Sequence, residues 1–247
     1  MIRTSAKYTK NDVLKTYSTE MRRDEKHNQW IVYVFFRPVS LQFSHHLLNF
    51  GFSPTVISLL GLMVSFFLPL GGLILEETAF TYYLAGGIIL FHVLDCIDGN
   101  IARTAQQASK AGAYLDLIVD VMHRLLSYLA IGMLAHQQYG EDSTLPVFSA
   151  VVWAVLAAWL MVAAKLGRAH AIEDKKNEVE LYAFDQKKVY GWFDYLFFGV
   201  SSLDHAIAFL LPFALYFGAI EYLIVWLVAY GLIDFCFTQH AAFKRFK

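Results

Sequence analysis

Long hydrophobic stretches alternate with short polar connections along most of this chain. No Asp, Glu, Lys or Arg occurs between Arg37 and Glu76, and residues 56–75 alone form an apolar run of twenty. At about 1.5 Å per residue, a helix of that length crosses roughly 30 Å of hydrocarbon. Further apolar stretches follow at residues 78–94, 115–135, 145–164, 195–218 and 222–240. The pattern predicts an all-α, multi-pass integral membrane protein with six transmembrane helices.

The chain before the first span has a different pattern. Its first 29 residues are polar, carry both charge signs and contain no apolar run, so no cleavable signal peptide is expected. Residues 30–36 are apolar and largely aromatic, and residues 37–51 mix Leu and Phe with polar positions. We interpret residues 30–51 as an N-terminal amphipathic helix, in one or two segments, at the cytosolic membrane surface. An ordinary buried helix has the same pattern.

Ser53 and Pro54 mark the beginning of the first span, because serine is a favoured N-cap and proline a favoured first helical residue. This boundary divides the chain into three parts. Residues 1–52 form a cytosolic arm with the interfacial helix, residues 53–243 the six-helix transmembrane domain, and residues 244–247 a basic cytosolic tail.

Composition excludes several classes of protein. With 57% hydrophobic and 17% charged residues, the chain is too apolar for a disordered or ordinary soluble protein. A formal net charge of -1 gives no support for a nucleic-acid partner. The two cysteines, Cys96 and Cys236, lie in apolar runs and are interpreted as buried thiols.

The basic residues are distributed asymmetrically. With six spans and a cytosolic N-terminus, the outside connections are residues 76–78, 137–144 and 217–221, and none of them contains Lys or Arg. Cytosolic connections of membrane proteins are enriched in these residues. The distribution predicts that both termini and the end of span two lie on the cytosolic side.

Four carboxylates lie where span two ends and span three begins. Asp95 and Asp98 are three residues apart, and Asp116 and Asp120 are four apart, so each pair shares one face of a helix. The short connection between the spans brings the two faces together, and we expect the four acids to converge. Each intramembrane carboxylate costs about 2.5 to 3.5 kcal/mol on insertion scales, so a positive charge must compensate.

Bound cations or the side chains of Arg103 and Arg124 can supply this compensation. Carboxylate oxygens without a committed Cys or His favour Mg²⁺ or Mn²⁺ over Zn²⁺. Four acids can hold two divalent ions about 3.5 to 4 Å apart, the arrangement used in phosphoryl chemistry. Gly99, Ala102 and Gly112 leave room for a ligand near the backbone. Close helix packing also explains the small residues, but it leaves the acids unexplained.

The complete pattern DxxDGxxAR, eight residues, then GxxxDxxxD runs from Asp95 to Asp120. It resembles the signature of the CDP-alcohol phosphotransferase family. The resemblance implies that a CDP-linked donor transfers a substituted phosphate to an acceptor hydroxyl with release of CMP. It also implies a role in phospholipid or related headgroup synthesis, with at least one lipid substrate. A homodimer and a polar cavity open to the cytosol are further expectations.

The resemblance also implies roles for individual residues. Asp95, Asp98 and Asp116 are expected to ligate one Mg²⁺, and Asp95, Asp116 and Asp120 the second. Asp120 is expected to accept the proton of the acceptor as well. The nucleotide pocket is expected to contain Gly99, Ala102, Arg103 and Gly112.

The acceptor pocket is less well defined by the sequence. Candidates are Arg124, Lys165 and Arg168, which suit a phosphorylated acceptor. Two alternatives stay open: Arg124 pairs with Asp120, or Lys165 and Arg168 mark the cytosolic end of span four. His92, His123 and Asp234 are expected to be packed polar groups.

Intramembrane acids also mark cation pathways, so a cation-coupled transporter is the alternative from another functional class. It accounts for the acids and leaves their spacing unexplained. A catalytically inactive scaffold is a third interpretation, against which the intact set of four aspartates argues.

Overall fold

The computed structural model describes residues 8–140, 150–177 and 205–243, and all regular secondary structure in these ranges is helical. A π-helical segment, Val32–Phe36, runs directly into α3. The α-helices in chain order are α1 Lys10–Thr16, α2 Thr19–Asn28, α3 Arg37–Asn49, α4 Pro54–Ile74, α5 Glu77–Thr104, α6 Lys110–Tyr139, α7 Ala150–Asn177, α8 Ile207–Tyr216 and α9 Ile220–Phe243.

Five of these helices are long and apolar enough to cross a membrane, which indicates an integral membrane protein. The candidate spans are Pro54–Ile74, Glu77–Thr104, Lys110–Tyr139, Ala150–Gly167 and Ile220–His240. They correspond to predicted spans one to four and six. The remaining prediction, residues 195–218, begins outside the described residues, and its described part contains the ten-residue helix α8. Six spans therefore stay a prediction.

The connection between α5 and α6 is a short turn that determines how these two helices meet. Gln106 adopts a positive φ of 55°, which turns the chain directly after α5. Ser109 then caps α6, its side chain accepting a hydrogen bond of 3.0 Å from the backbone N–H of Gly112. Because the turn is short and capped, the end of α5 lies beside the beginning of α6.

The main apolar core lies between α4, α5, α6, α7, α8 and α9, with α4 contributing Leu68. Small residues allow close approach of these helices, most clearly at Gly132 of α6. A Cβ atom at this position would lie 2.7 Å from the Cα of Val151 in α7. Large apolar side chains such as Phe66, Leu73 and Ile74 of α4 are exposed on the outside of the bundle, as expected for contact with lipid.

The N-terminal arm contains two helices, α1 and α2, that its polar sequence did not predict. Thr9 and Asp12 form a reciprocal capping box that begins α1. In α3, Arg37, Ser40 and Ser44 are buried against α5, whereas Val39 and Phe43 are exposed. This apolar outer face agrees with the predicted interfacial position, which remains a prediction.

Candidate functional site

Three of the four predicted aspartates lie together. Carboxylate oxygens of Asp95 and Asp98 in α5 and of Asp116 in α6 lie within 4.8 Å of one another. The donor set consists only of carboxylate oxygens, which fits a hard divalent cation such as Mg²⁺ or Mn²⁺. The α5–α6 turn produces this group by placing Asp116 opposite the end of α5.

Asp98 is the most enclosed of the three acids. It is buried, and Ser58 of α4 donates a hydrogen bond of 2.6 Å to its Oδ2. The Oγ of Ser58 also lies 3.1 Å from the carbonyl oxygen of Pro54 in the first turn of α4. The contact ties a third helix to the carboxylate group and fixes the orientation of one acid.

Asp120 lies one helical turn beyond Asp116 and is not among the three clustered carboxylates. Its Oδ2 forms an ion pair with the ammonium of Lys165 from α7. Both side chains are partly buried, so solvent screens the pair less than it screens a surface pair. The structure thus brings three acids together and places the fourth beside a cation.

A cavity of about 380 Å³ adjoins the clustered acids between α4, α5 and α6. All four aspartates line it, together with every residue predicted for the nucleotide pocket: Gly99, Ala102, Arg103 and Gly112. The predicted residues therefore surround one space, large enough for part of a nucleotide-linked substrate.

Arg103 lies folded over Gly99 within this cavity. A Cβ atom at Gly99 would lie 3.1 Å from Nη1 and 3.3 Å from Nη2 of Arg103. The glycine thus gives the guanidinium room to lie against the helix backbone. The Nη2 of Arg103 donates a hydrogen bond of 3.0 Å to the side-chain oxygen of Asn100.

A second cavity, of about 280 Å³, adjoins the first. The two share Arg37, Asp95, Cys96 and Asp120. The second cavity is rich in cationic and polar side chains, among them His92, His123, Arg124, Ser127, Lys165 and His205. Because Asp120 lines both cavities, it stands where ligands bound in the two spaces would meet.

The predicted acceptor residues fall partly in this second cavity. Arg124 and Lys165 both line it, whereas the side chain of Arg168 lies outside the described residues. The two candidates whose side chains are described therefore lie in the same cavity. The ion pair of Lys165 with Asp120 was not predicted from the sequence.

Three histidines line the second cavity, whereas the sequence predicted only that His92 and His123 are packed polar groups. His123 does pack as expected, with its ring stacked on Phe91 at 3.5 Å and its Nδ1 2.9 Å from the Oγ of Ser65. It nevertheless lines the second cavity with His92 and His205. His92 precedes Asp95 by three residues, and His123 follows Asp120 by three. This spacing was a usable signal, whereas no local pattern pointed to His205.

Arg37 and Glu25 were also missed. Arg37 is buried, lines both cavities and forms an ion pair with Glu25, which is buried as well. A charged residue within an apolar aromatic stretch was the available signal for Arg37. Glu25 belongs to a strongly charged segment, and nothing distinguished it from its exposed neighbours.

Comparison with known proteins gives two findings. A family model described as CDP-alcohol phosphatidyltransferase matches residues 52–233. An uncharacterized protein of Aquifex aeolicus (strain VF5) is 35% identical over 99 residues, which cover 38% of this chain and 46% of that protein. The chain thus spans about half the length of this curated relative. The family match contains all four aspartates and the three predicted acceptor residues, Arg124, Lys165 and Arg168.

Proposed function

Since this chain belongs to the CDP-alcohol phosphatidyltransferase family, we propose that it transfers a substituted phosphate from a CDP-linked donor to an acceptor hydroxyl and releases CMP. The observation that carries the proposal is the group formed by Asp95, Asp98 and Asp116. This group lines the same cavity as Arg103 and the small residues of the signature. Several polar functions needed for a diphosphate substrate therefore meet in one space inside the bundle.

The three clustered acids and Asp120 are the proposed ligands of two Mg²⁺ or Mn²⁺ ions. Asp95, Asp98 and Asp116 form the first ligand set, and Asp95, Asp116 and Asp120 the second. When bound, the metal ions supply positive charge that offsets the diphosphate and the departing CMP. The hydrogen bond from Ser58 holds the carboxylate of the buried Asp98 in place.

The donor occupies the larger cavity. Gly99, Ala102 and Gly112 allow its cytidine diphosphate part to approach α5 and the beginning of α6, where side chains are small. Arg103 supplies a planar guanidinium that hydrogen-bonds phosphate oxygens well. The donor phosphate to be transferred then lies next to the clustered acids.

The acceptor occupies the second cavity, with Arg124 and Lys165 as its cationic contacts and Arg168 as a further candidate. Its hydroxyl meets the donor at Asp120, which lines both spaces. The acceptor oxygen attacks the phosphorus that carries the alcohol of the donor. The bond from that phosphorus to the oxygen of CMP breaks, and CMP leaves with its electron pair.

Asp120 accepts the proton of the attacking hydroxyl. A general base must lie within hydrogen-bond reach of the proton that it abstracts. The position of Asp120 at the junction of the two cavities suits this role. Lys165 holds the Asp120 carboxylate by an ion pair, which stabilises its charged, proton-accepting form. We assign Lys165 to this positioning role in addition to acceptor binding.

The surroundings of the reaction follow from the sequence and the family. We place both termini and the donor cavity on the cytosolic side, since the predicted outside connections contain no Lys or Arg. At least one substrate is a lipid, which suits a site inside an apolar bundle. A homodimer is the proposed assembly, as the family resemblance implies.

The direct test is a substrate panel. Purified protein with Mg²⁺ is incubated with different CDP-alcohols, each with and without candidate acceptors such as glycerol phosphate and inositol phosphate, and CMP is measured. The proposal requires at least one donor whose CMP release depends on both the metal and an acceptor. If instead reconstituted protein moves cations across vesicles and releases no CMP with any pair, the transporter alternative replaces it.

A further inference from the structure

A chain of buried polar contacts joins the N-terminal arm to α5. Glu25, Arg37 and Asn100 are only 8%, 7% and 1% exposed. Arg37 donates through Nε to Glu25 at 3.0 Å, and its Nη2 completes a two-point ion pair with the same carboxylate. Buried bidentate contacts of this kind fix the orientation of both side chains.

Asn100 connects this ion pair to the donor cavity. Its side-chain oxygen accepts hydrogen bonds from Nη1 of Arg37 at 3.1 Å and from Nη2 of Arg103 at 3.0 Å. Its amide nitrogen donates to Ser44 at 3.0 Å, so the amide cannot rotate without losing partners. One amide oxygen thus accepts hydrogen bonds from two guanidinium groups, that of Arg37 in the arm and that of Arg103 in the signature.

Glu25 makes this arrangement possible electrostatically. Two guanidinium groups around one amide repel each other, and a buried cation is costly without a paired anion. Tyr17 of the arm supports Glu25 by donating a hydrogen bond of 2.7 Å to it. Burial, and then the hydrogen bond to Glu25, raises the pKa of Tyr17, so this phenol stays protonated and continues to donate.

We propose that the arm is part of the donor site, with Glu25, Arg37 and Asn100 acting as positioning residues for Arg103. Through them, the Arg103 guanidinium is held over Gly99 and kept ready for the diphosphate of the donor. The inference rests on the proposed function, because it uses donor binding by Arg103. It extends that function to Glu25 and Arg37, which lie before the family match at residues 52–233.

The test is a double-mutant cycle between the arm and the signature. Glu25→Gln keeps the shape of the side chain and removes the charge that balances Arg37. We expect it to raise the donor KM about tenfold, since charge-assisted hydrogen bonds that are lost or misplaced have effects of this order. The acceptor KM stays unchanged. In an Arg103→Ala background, Glu25→Gln has no further effect on the donor KM, because the residue that it positions is absent.

Two further variants serve as control and as backup. Lys10→Met removes an exposed hydrogen bond of 2.7 Å between α1 and Gln42 of α3, outside the network, and leaves the donor KM unchanged. Ser44→Ala removes one hydrogen bond of Asn100 and keeps the buried ion pair, so it replaces Glu25→Gln if that variant fails to fold. We expect Ser44→Ala to raise the donor KM as well. If either network variant lowers thermal stability without changing the donor KM, the arm is merely structural and the proposal is wrong.

Binding of CDP in the presence of Mg²⁺, measured by the rise in melting temperature, separates this inference from the proposed function. Wild-type protein that gains no stability from CDP contradicts both. Wild-type protein stabilised by CDP, with network variants stabilised equally at every CDP concentration, contradicts only the role of the arm. The expected result is a CDP titration shifted about tenfold in Glu25→Gln and unshifted in Lys10→Met.

Discussion

At the scale of single residues, the four aspartates divide into two groups. The short connection between the spans predicted that all four would converge, and three of them, Asp95, Asp98 and Asp116, lie within 4.8 Å of one another. Asp120 pairs with Lys165, which is contributed by a different helix. The sequence predicted the common face of each aspartate pair, because that depends only on local helix geometry. It could not predict a partner forty-five positions further along, because such contacts depend on how the helices pack.

Replacing Asp120 by Asn separates its role from the roles of the clustered acids. Asp120→Asn keeps the size of the side chain and removes the proton acceptor, so turnover falls by about 10² to 10⁴. Donor binding stays close to that of the wild type, because three carboxylates and Arg103 remain. Single-turnover kinetics alongside CDP binding check this. A variant that loses CDP binding and turnover to the same extent shows that Asp120 serves mainly in the binding of metal or donor.

Arg124 tests the assignment of the two cavities. Arg124→Ala removes a cationic contact from the second cavity, and we expect the acceptor KM to rise about tenfold or more. The donor KM changes little, since Arg124 does not line the first cavity. Steady-state kinetics with each substrate varied in turn provide the measurement. Equal increases in both constants, or none, mean that the acceptor contacts have to be sought at Lys165.

At the scale of helices, the sequence predicted the long elements well and the arm poorly. Uncharged stretches of about twenty residues identify spans directly. The predicted beginning of the first span at Ser53 and Pro54 is the beginning of α4 in the structure. The arm helices α1 and α2 are short and polar, and tertiary contacts such as Tyr17 to Glu25 hold them. Sequence periodicity carries little information about helices of this kind, because packing rather than propensity stabilises them.

The crossing of α6 and α7 predicts a specific stability effect. In Gly132→Ala, the new Cβ would lie 2.7 Å from the Cα of Val151, so backbone has to move, at a cost of about 1 to 3 kcal/mol. Gly86→Ala in α5 is the matched control, since a Cβ there has no neighbour within 4 Å.

Thermal unfolding in detergent compares the two variants. The melting temperature should fall in Gly132→Ala and stay equal or rise in Gly86→Ala, because alanine favours helix. An unchanged melting temperature in Gly132→Ala would show that the two helices are not in this close contact.

At the scale of the whole molecule, the described helices combine an apolar core and an apolar exterior with two polar cavities. Large exposed side chains such as Phe66 and Phe67 face outward, whereas both cavities collect the charged groups. Composition and hydropathy predicted this class of protein. They did not predict that the arm reaches the donor cavity. Arg37 lines this cavity and contacts Asn100, which is far away in the sequence, and such contacts depend on how the helices pack.

Orientation in the membrane is testable with two positions at opposite ends of α6. Gln106 lies in the α5–α6 turn and Gly140 at the C-terminal end of α6, and both are exposed. In a chain with Cys96 and Cys236 replaced by Ala, a membrane-impermeant maleimide should label Gly140→Cys in intact cells. Gln106→Cys should be labelled only after permeabilisation. Labelling of both from the same side contradicts the predicted topology.

The central claim is that the carboxylate group carries out transfer of a substituted phosphate. It is tested most directly with a CDP-alcohol labelled in the phosphate that bears the alcohol, using wild-type protein and Asp116→Asn with Mg²⁺. We predict that the label passes from the donor to the acceptor product, that unlabelled CMP appears in equal amount, and that Asp116→Asn does neither. Label recovered in the nucleotide product, or transfer that continues at the wild-type rate in Asp116→Asn, would contradict the account.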